Sequence, residues 1–138
     1  MRIILALRGP GHTGKSITLR FLRQLLINNN FRLEWTSDLY RGRVDFISIF
    51  EKSGYKIGIA SSCKSYNDVR YYLRKLVDEN CSICICSCRS VGGTNKAIIE
   101  FSAYHHDFIE KTIDRNITQE ATNISDAKLL LQRINFLL

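Results

Sequence analysis

Eight residues near the start of the chain, Gly9-Pro10-Gly11-His12-Thr13-Gly14-Lys15-Ser16, leave it few ways to fold. Three glycines at this spacing permit positive φ and let the backbone approach a ligand closely. A continuous apolar run, Ile3-Ile4-Leu5-Ala6-Leu7, precedes them. Apolar residues at helical spacing follow: Ile17, Phe21, Leu22, Leu25 and Leu26. A strand, a tight turn and a helix are therefore expected in that order. In such a turn successive N–H groups curl into a nest that suits an anion. The positive end of the following helix faces the same point.

The pattern is G-x-x-x-x-G-K-S, the Walker A loop, and on residues 3–27 the chain resembles the P-loop NTPase superfamily. The resemblance implies that Gly9, Pro10, Gly11, His12, Thr13, Gly14, Lys15, Ser16 and Ile17 cradle the phosphates of a nucleotide. Lys15 would reach the β- and γ-phosphates as a point charge, and Ser16 would offer its hydroxyl to Mg²⁺. His12 would touch phosphate or a second substrate, or simply face solvent.

The chain of 138 residues suits one domain, and 45% hydrophobic residues can fill its core. Its one proline lies inside the glycine loop, and no Pro-rich, Ser-rich or repeated stretch marks a linker. The apolar run after Met1-Arg2 is too short for a secretory signal, and no stretch approaches the ~20 apolar residues of a membrane helix. A cytoplasmic protein with no membrane partner is expected. The net charge of +7 is consistent with nucleotide, nucleic-acid or acidic-protein partners. No helix-turn-helix, zinc-finger or RNP-like pattern supports nucleic acid. A protein partner or a second copy of the chain stays open.

Strands are expected over 2–8, 31–36, 44–50, 55–60 and 83–87, with an edge strand over 106–113. Ser53-Gly54 predicts a hairpin between the third and fourth. Helices are expected over 15–27, 68–78 and 95–101. Asn67 or Ser65 would cap the second. The polar stretch 114–124 reads as loop, with Ser125 opening a last helix whose stripe is Ala127, Leu130, Leu131, Ile134 and Leu138. The order predicts an α/β fold of three layers, P-loop NTPase-like, with a mostly parallel sheet and an antiparallel hairpin.

A P-loop protein normally carries a Walker B acid at the end of an apolar strand. No strand here ends in one: 55–60 runs into Ser61-Ser62, and 83–88 runs into Arg89. Asp38, just past a predicted strand, is the best substitute as metal ligand and catalytic acid. Asp45 ranks lower, because it falls inside a predicted strand, and Ser61 and Ser62 would at most hold a metal-bound water. Arg89 stands where ligands bind in open α/β sheets and is a candidate for phosphate or base contact or for an arginine finger. Arg41 and Arg43 are candidates for a phosphate clamp.

The base is read by absence: neither N-K-x-D nor D-x-x-G occurs, which favours ATP over GTP. Three functions follow as expectations: a Mg²⁺-dependent hydrolase, a kinase that transfers the γ-phosphate, or a nucleotide-binding switch without turnover. Cys81, Cys84, Cys86 and Cys88 tempt a metal reading. Same-face neighbours on a strand are about 6.6 Å apart, too far for three ligands on one zinc, so packing is expected instead.

Overall fold

The computed structural model describes residues 1–38, 45–61 and 64–138. Ten elements follow one another: β1 (Ile3–Arg8), α1 (Lys15–Asn28), β2 (Arg32–Asp38), β3 (Phe46–Lys52), β4 (Tyr55–Ala60), α2 (Tyr66–Asp78), β5 (Ile83–Cys88), α3 (Gly93–Ile99), β6 (His105–Glu110) and α4 (Gln119–Leu137). The strands form one sheet in the order β2-β3-β4-β5-β1-β6. β1 pairs in parallel with β5 and β6, and β4 in parallel with β5. β3 runs antiparallel to both β2 and β4. The α/β class and the mixed sheet agree with the sequence reading, and β6 lies at an edge as expected.

Alternation along the strands supplies two cores. Leu5, Leu7, Ile57, Ile59, Ile83 and Ile85 face one side, where Leu19, Leu22 and Leu26 of α1 and Ala127, Leu130 and Ile134 of α4 cover them. Ile4, Ala6, Ala60, Cys84, Cys86 and Cys88 face the other, beneath Val69, Leu73 and Leu76 of α2 and Ala97 and Ile98 of α3. Helices thus lie on both faces of the sheet. Cys81, Cys84, Cys86 and Cys88 are core residues. Burial pushes the Cys81 thiol up to about 12 and raises Cys84 further above its ordinary range.

Local signals explain the boundaries. β3 and β4 are joined by Ser53 and Gly54, both at positive φ, which matches the two-residue turn of a twisted hairpin. The hydroxyl of Ser65 accepts from the Asp68 amide at 3.2 Å and caps α2, so Ser65 rather than Asn67 starts that helix. The Asn28-Asn29-Asn30 run ends α1, with Asn30 at φ 65°.

One element departs from expectation. The last helix opens at Gln119, not Ser125, and Thr118 caps it by accepting from the Ala121 amide at 3.1 Å. Its first turns hid because they bury polar residues. Thr122, Asn123 and Asp126 are all at most 4% exposed. An apolar periodicity cannot register a polar buried face.

Gly58 in β4 lies in the layer between sheet and α2. A Cβ there would stand 2.6 Å from Leu76 Cδ2 and 2.9 Å from Cys81 Sγ. Gly58→Val is expected to destabilise the fold by about 1–3 kcal/mol through overpacking, read as a lower denaturant midpoint at unchanged slope.

Candidate functional site

The loop between β1 and α1 sits at the C-terminal edge of the parallel strands. Its first amide, that of Gly9, donates to the carbonyl of Cys88 at the end of β5 (3.1 Å). His12 and Gly14 both take left-handed conformations, φ 61° and 89°. Gly14 is the N-cap of α1 and has no side chain to cap it, and the first turn carries no acidic residue. The start of α1 is therefore a positive dipole end with neither a side-chain cap nor an acidic residue on it. The Thr13 hydroxyl braces the loop by donating to the Pro10 carbonyl (2.8 Å).

The loop floors a cleft of about 480 Å³. Gly11, His12, Gly14, Lys15, Ser16 and Ile17 line one side, and Asp45, Ser61, Lys64, Ser87, Arg89 and Gln119 line the rest. Lys15 Nζ folds back onto the Gly9 and Pro10 carbonyls at 2.7 and 2.6 Å. Its stem is half-buried, so the ammonium stays beside the loop it would serve.

Ser16 is the meeting point with the rest of the sheet. Its hydroxyl donates to Asp45 Oδ1 at 3.3 Å and approaches the Ser61 carbonyl at 3.5 Å. Asp45 is only 4% exposed. It stands just before β3, which begins at Phe46, so it is not inside a strand as the sequence suggested. Because β3 is antiparallel to β4, its first residue lies at the same edge as the last residues of the parallel strands. The amide of Phe46 donates to Ser61 Oγ at 2.7 Å and ties that corner together.

Asp38 is the last residue of β2 and pairs with Phe46 across the ladder. Its backbone is at the same edge of the sheet as Asp45, one strand further from β1. Among the described residues, Asp45 is the carboxylate joined to Ser16. Arg41, Arg43, Ser62 and Cys63, together with the clamp proposed from the two arginines, lie outside the described residues.

Arg89 follows β5 and reaches the loop. A Cβ on Gly11 would lie 2.1 Å from Arg89 Nη1, so the guanidinium rests against the glycine's open side. The backbone of Arg89 is fixed at both ends: its amide donates to Thr94 Oγ1 (2.9 Å) and its carbonyl accepts from Asn95 Nδ2 (2.8 Å).

Several contributors were not legible in the sequence. The side chain of Gln119 donates to the His12 carbonyl at 3.0 Å. Asn123 lies against Gly14, where a Cβ would come within 2.3 Å of its Oδ1. The Thr18 hydroxyl bridges the Gly14 carbonyl (2.8 Å) and Asn123 Oδ1 (3.2 Å). Behind Gly9, Lys111 pairs with Asp126 at 3.0 Å in a place closed to solvent. Asp126 also accepts from the amide and hydroxyl of Thr112, at 2.8 and 2.6 Å. A full set of partners makes a buried ion pair tolerable. Only the position of Lys111, just after a strand, could have flagged it in advance.

Comparison of the chain with family models, with curated proteins and with solved structures gives no match in any of the three. Among the described residues, no helix is long and apolar enough to cross a membrane, and no group of three or more His, Cys, Asp or Glu is placed to hold a metal by itself.

Removing one member of the buried pair leaves the other charge unmatched. Lys111→Met is expected to destabilise the protein by about 3 kcal/mol, checked by urea unfolding. A loss under about 1 kcal/mol would show that the pair is not the brace described.

Proposed function

We propose that the chain is a P-loop NTPase-like protein that binds a nucleoside triphosphate with Mg²⁺ and hydrolyses its terminal phosphoanhydride bond. One observation carries the reading. The uncapped start of α1, Lys15, Arg89 and the Ser16–Asp45 pair all border one cleft. Loop amides would hold the phosphate oxygens, and Lys15 would exchange the Gly9 and Pro10 carbonyls for the β- and γ-phosphates. Arg89, resting on Gly11, would meet charge that develops on the transferred phosphoryl group. Such a site works mainly by positioning and electrostatics.

The donor set fits Mg²⁺. This ion prefers oxygen ligands and is commonly held by one or two carboxylates together with phosphates and water. Ser16 and Asp45 would hold it, with Asp45 in the role that the sequence gave first to Asp38. When bound, the ion would neutralise charge between neighbouring phosphates.

A second reading, a switch that binds without turnover, has its own support. β4 and β5 are followed by Ser61 and Arg89, so neither delivers an acid to the cleft. Asp45 is the acid that lines it among the described residues. If Asp45 serves the metal, no second carboxylate among the described residues that line the cleft would orient the attacking water. The kinase reading leans on Arg41 and Arg43, and no observation favours it.

Lys15→Ala is expected to weaken Mg²⁺–nucleotide binding by roughly 10- to 100-fold, the loss of charge-assisted hydrogen bonds. Asp45→Asn should blunt the Mg²⁺ dependence of binding while leaving metal-free binding close to wild type. Calorimetric titration reads both, and phosphate release by the wild-type protein separates hydrolase from switch. Unchanged affinity in Lys15→Ala would end the phosphate-loop reading.

A further inference from the structure

A second, smaller cavity of about 170 Å³ adjoins the cleft. Thr13 and Gln119 stand between the two: Gln119 lines both, and Thr13 is a loop residue that lines the smaller one. The other wall is the connection from β6 to α4, chiefly Ile113, Asp114, Arg115 and Ile117. Ile113 and Ile117 are 63% and 49% exposed, two large aliphatic side chains beside a cavity. A planar apolar group laid there would cover them, and the Arg115 guanidinium offers a further surface for stacking.

We infer that this cavity receives the base of the nucleotide whose phosphates the glycine loop holds, and that Asp114 selects guanine. The inference rests on the proposed nucleotide site and names its substrate more narrowly. It also reverses the preference for ATP drawn from missing motifs.

The argument is one of donors and acceptors. An ionised carboxylate only accepts hydrogen bonds. Asp114 Oδ1 accepts from the Asn116 amide at 2.9 Å, and the Asp114 carbonyl accepts from the Ile117 amide at 3.2 Å. These bonds fix the turn while lone pairs remain on the carboxylate. The Watson–Crick edge of guanine presents two adjacent donors, N1–H and the 2-amino group, which a carboxylate can accept together. Adenine presents one amino donor beside the N1 acceptor, whose lone pair would face a carboxylate oxygen. Inosine keeps N1–H and lacks the 2-amino group. The expected order of affinity is GTP above ITP above ATP.

The test is calorimetric titration of the full chain with Mg²⁺ and GTP, ITP, ATP or inorganic tripolyphosphate. GTP should bind at least about tenfold tighter than ATP, with ITP between them. Asp114→Asn keeps an oxygen for the Asn116 amide and loses the double acceptor. It should lower GTP affinity about tenfold and leave tripolyphosphate unchanged. ATP bound as tightly as GTP would overturn the base assignment and leave the phosphate site standing, as would an Asp114→Asn loss equal for every ligand. Failure of all four ligands to bind would overturn both.

Discussion

A Cβ on residue 14 has nowhere to go. Gly14 holds φ at 89°, and the amide of Asn123 fills the space a side chain would need. Both conditions exclude other residues, one by backbone strain and the other by contact. The constraint matters because Gly14 is where three parts of the molecule meet. Its carbonyl receives the Thr18 amide and hydroxyl, which starts α1. Its Cα touches α4 through Asn123, and the loop before it turns over the end of β1. The shape of the glycine loop therefore depends on how α4 is seated. The Lys111–Asp126 pair fixes that seating from behind, since Lys111 Cβ lies 3.0 Å from where a Cβ on Gly9 would project.

This coupling has an energetic logic. A loop that holds His12 and Gly14 in the left-handed region is strained by itself. Such a loop keeps its shape only if the surroundings over-determine it. Here the Thr13 hydroxyl, the Gln119 amide and the Lys15 ammonium all engage loop atoms from different directions, and Asn123 packs against Gly14. Under the proposed function, little conformational freedom would remain to be lost when an anion arrived, so more of the contact energy would appear as affinity.

Much of the fold was legible because the strands obey simple patterns. The continuous apolar run of β1, the Ser53-Gly54 turn and the periodicity of α2 each have one physical reading. The site was legible only where its residues are adjacent in sequence. Gly9 to Ser16 could be read because one local structure needs them together. Asp45 was ranked below Asp38 because a strand boundary was misjudged by two residues, and burial of an isolated aspartate leaves no local trace. Thr122 and Asn123 fall in the stretch expected as loop for a similar reason, and the burial of Asp126 left no trace either. Their partners, Lys111, Thr112, Thr18 and Gly14, lie between 11 and 109 positions away. Polar burial is a tertiary property, and a single sequence carries no period for it.

The placement of Asp45 also answers the puzzle of the missing strand-end acid. A parallel strand ending in a carboxylate is one way to bring an acid to the ligand edge. The antiparallel hairpin provides another, since β3 starts at the edge where β4 ends. Ser61 closes β4 there, and its hydroxyl accepts from the Phe46 amide at 2.7 Å. The serine in the strand-end position thus helps hold the residue next to the acid. An acid in that position would bring a second negative charge beside Asp45 in a poorly solvated corner, and like charges so close disfavour each other's ionised form. Under the proposed function, the single carboxylate of this corner would share a divalent ion with phosphate oxygens.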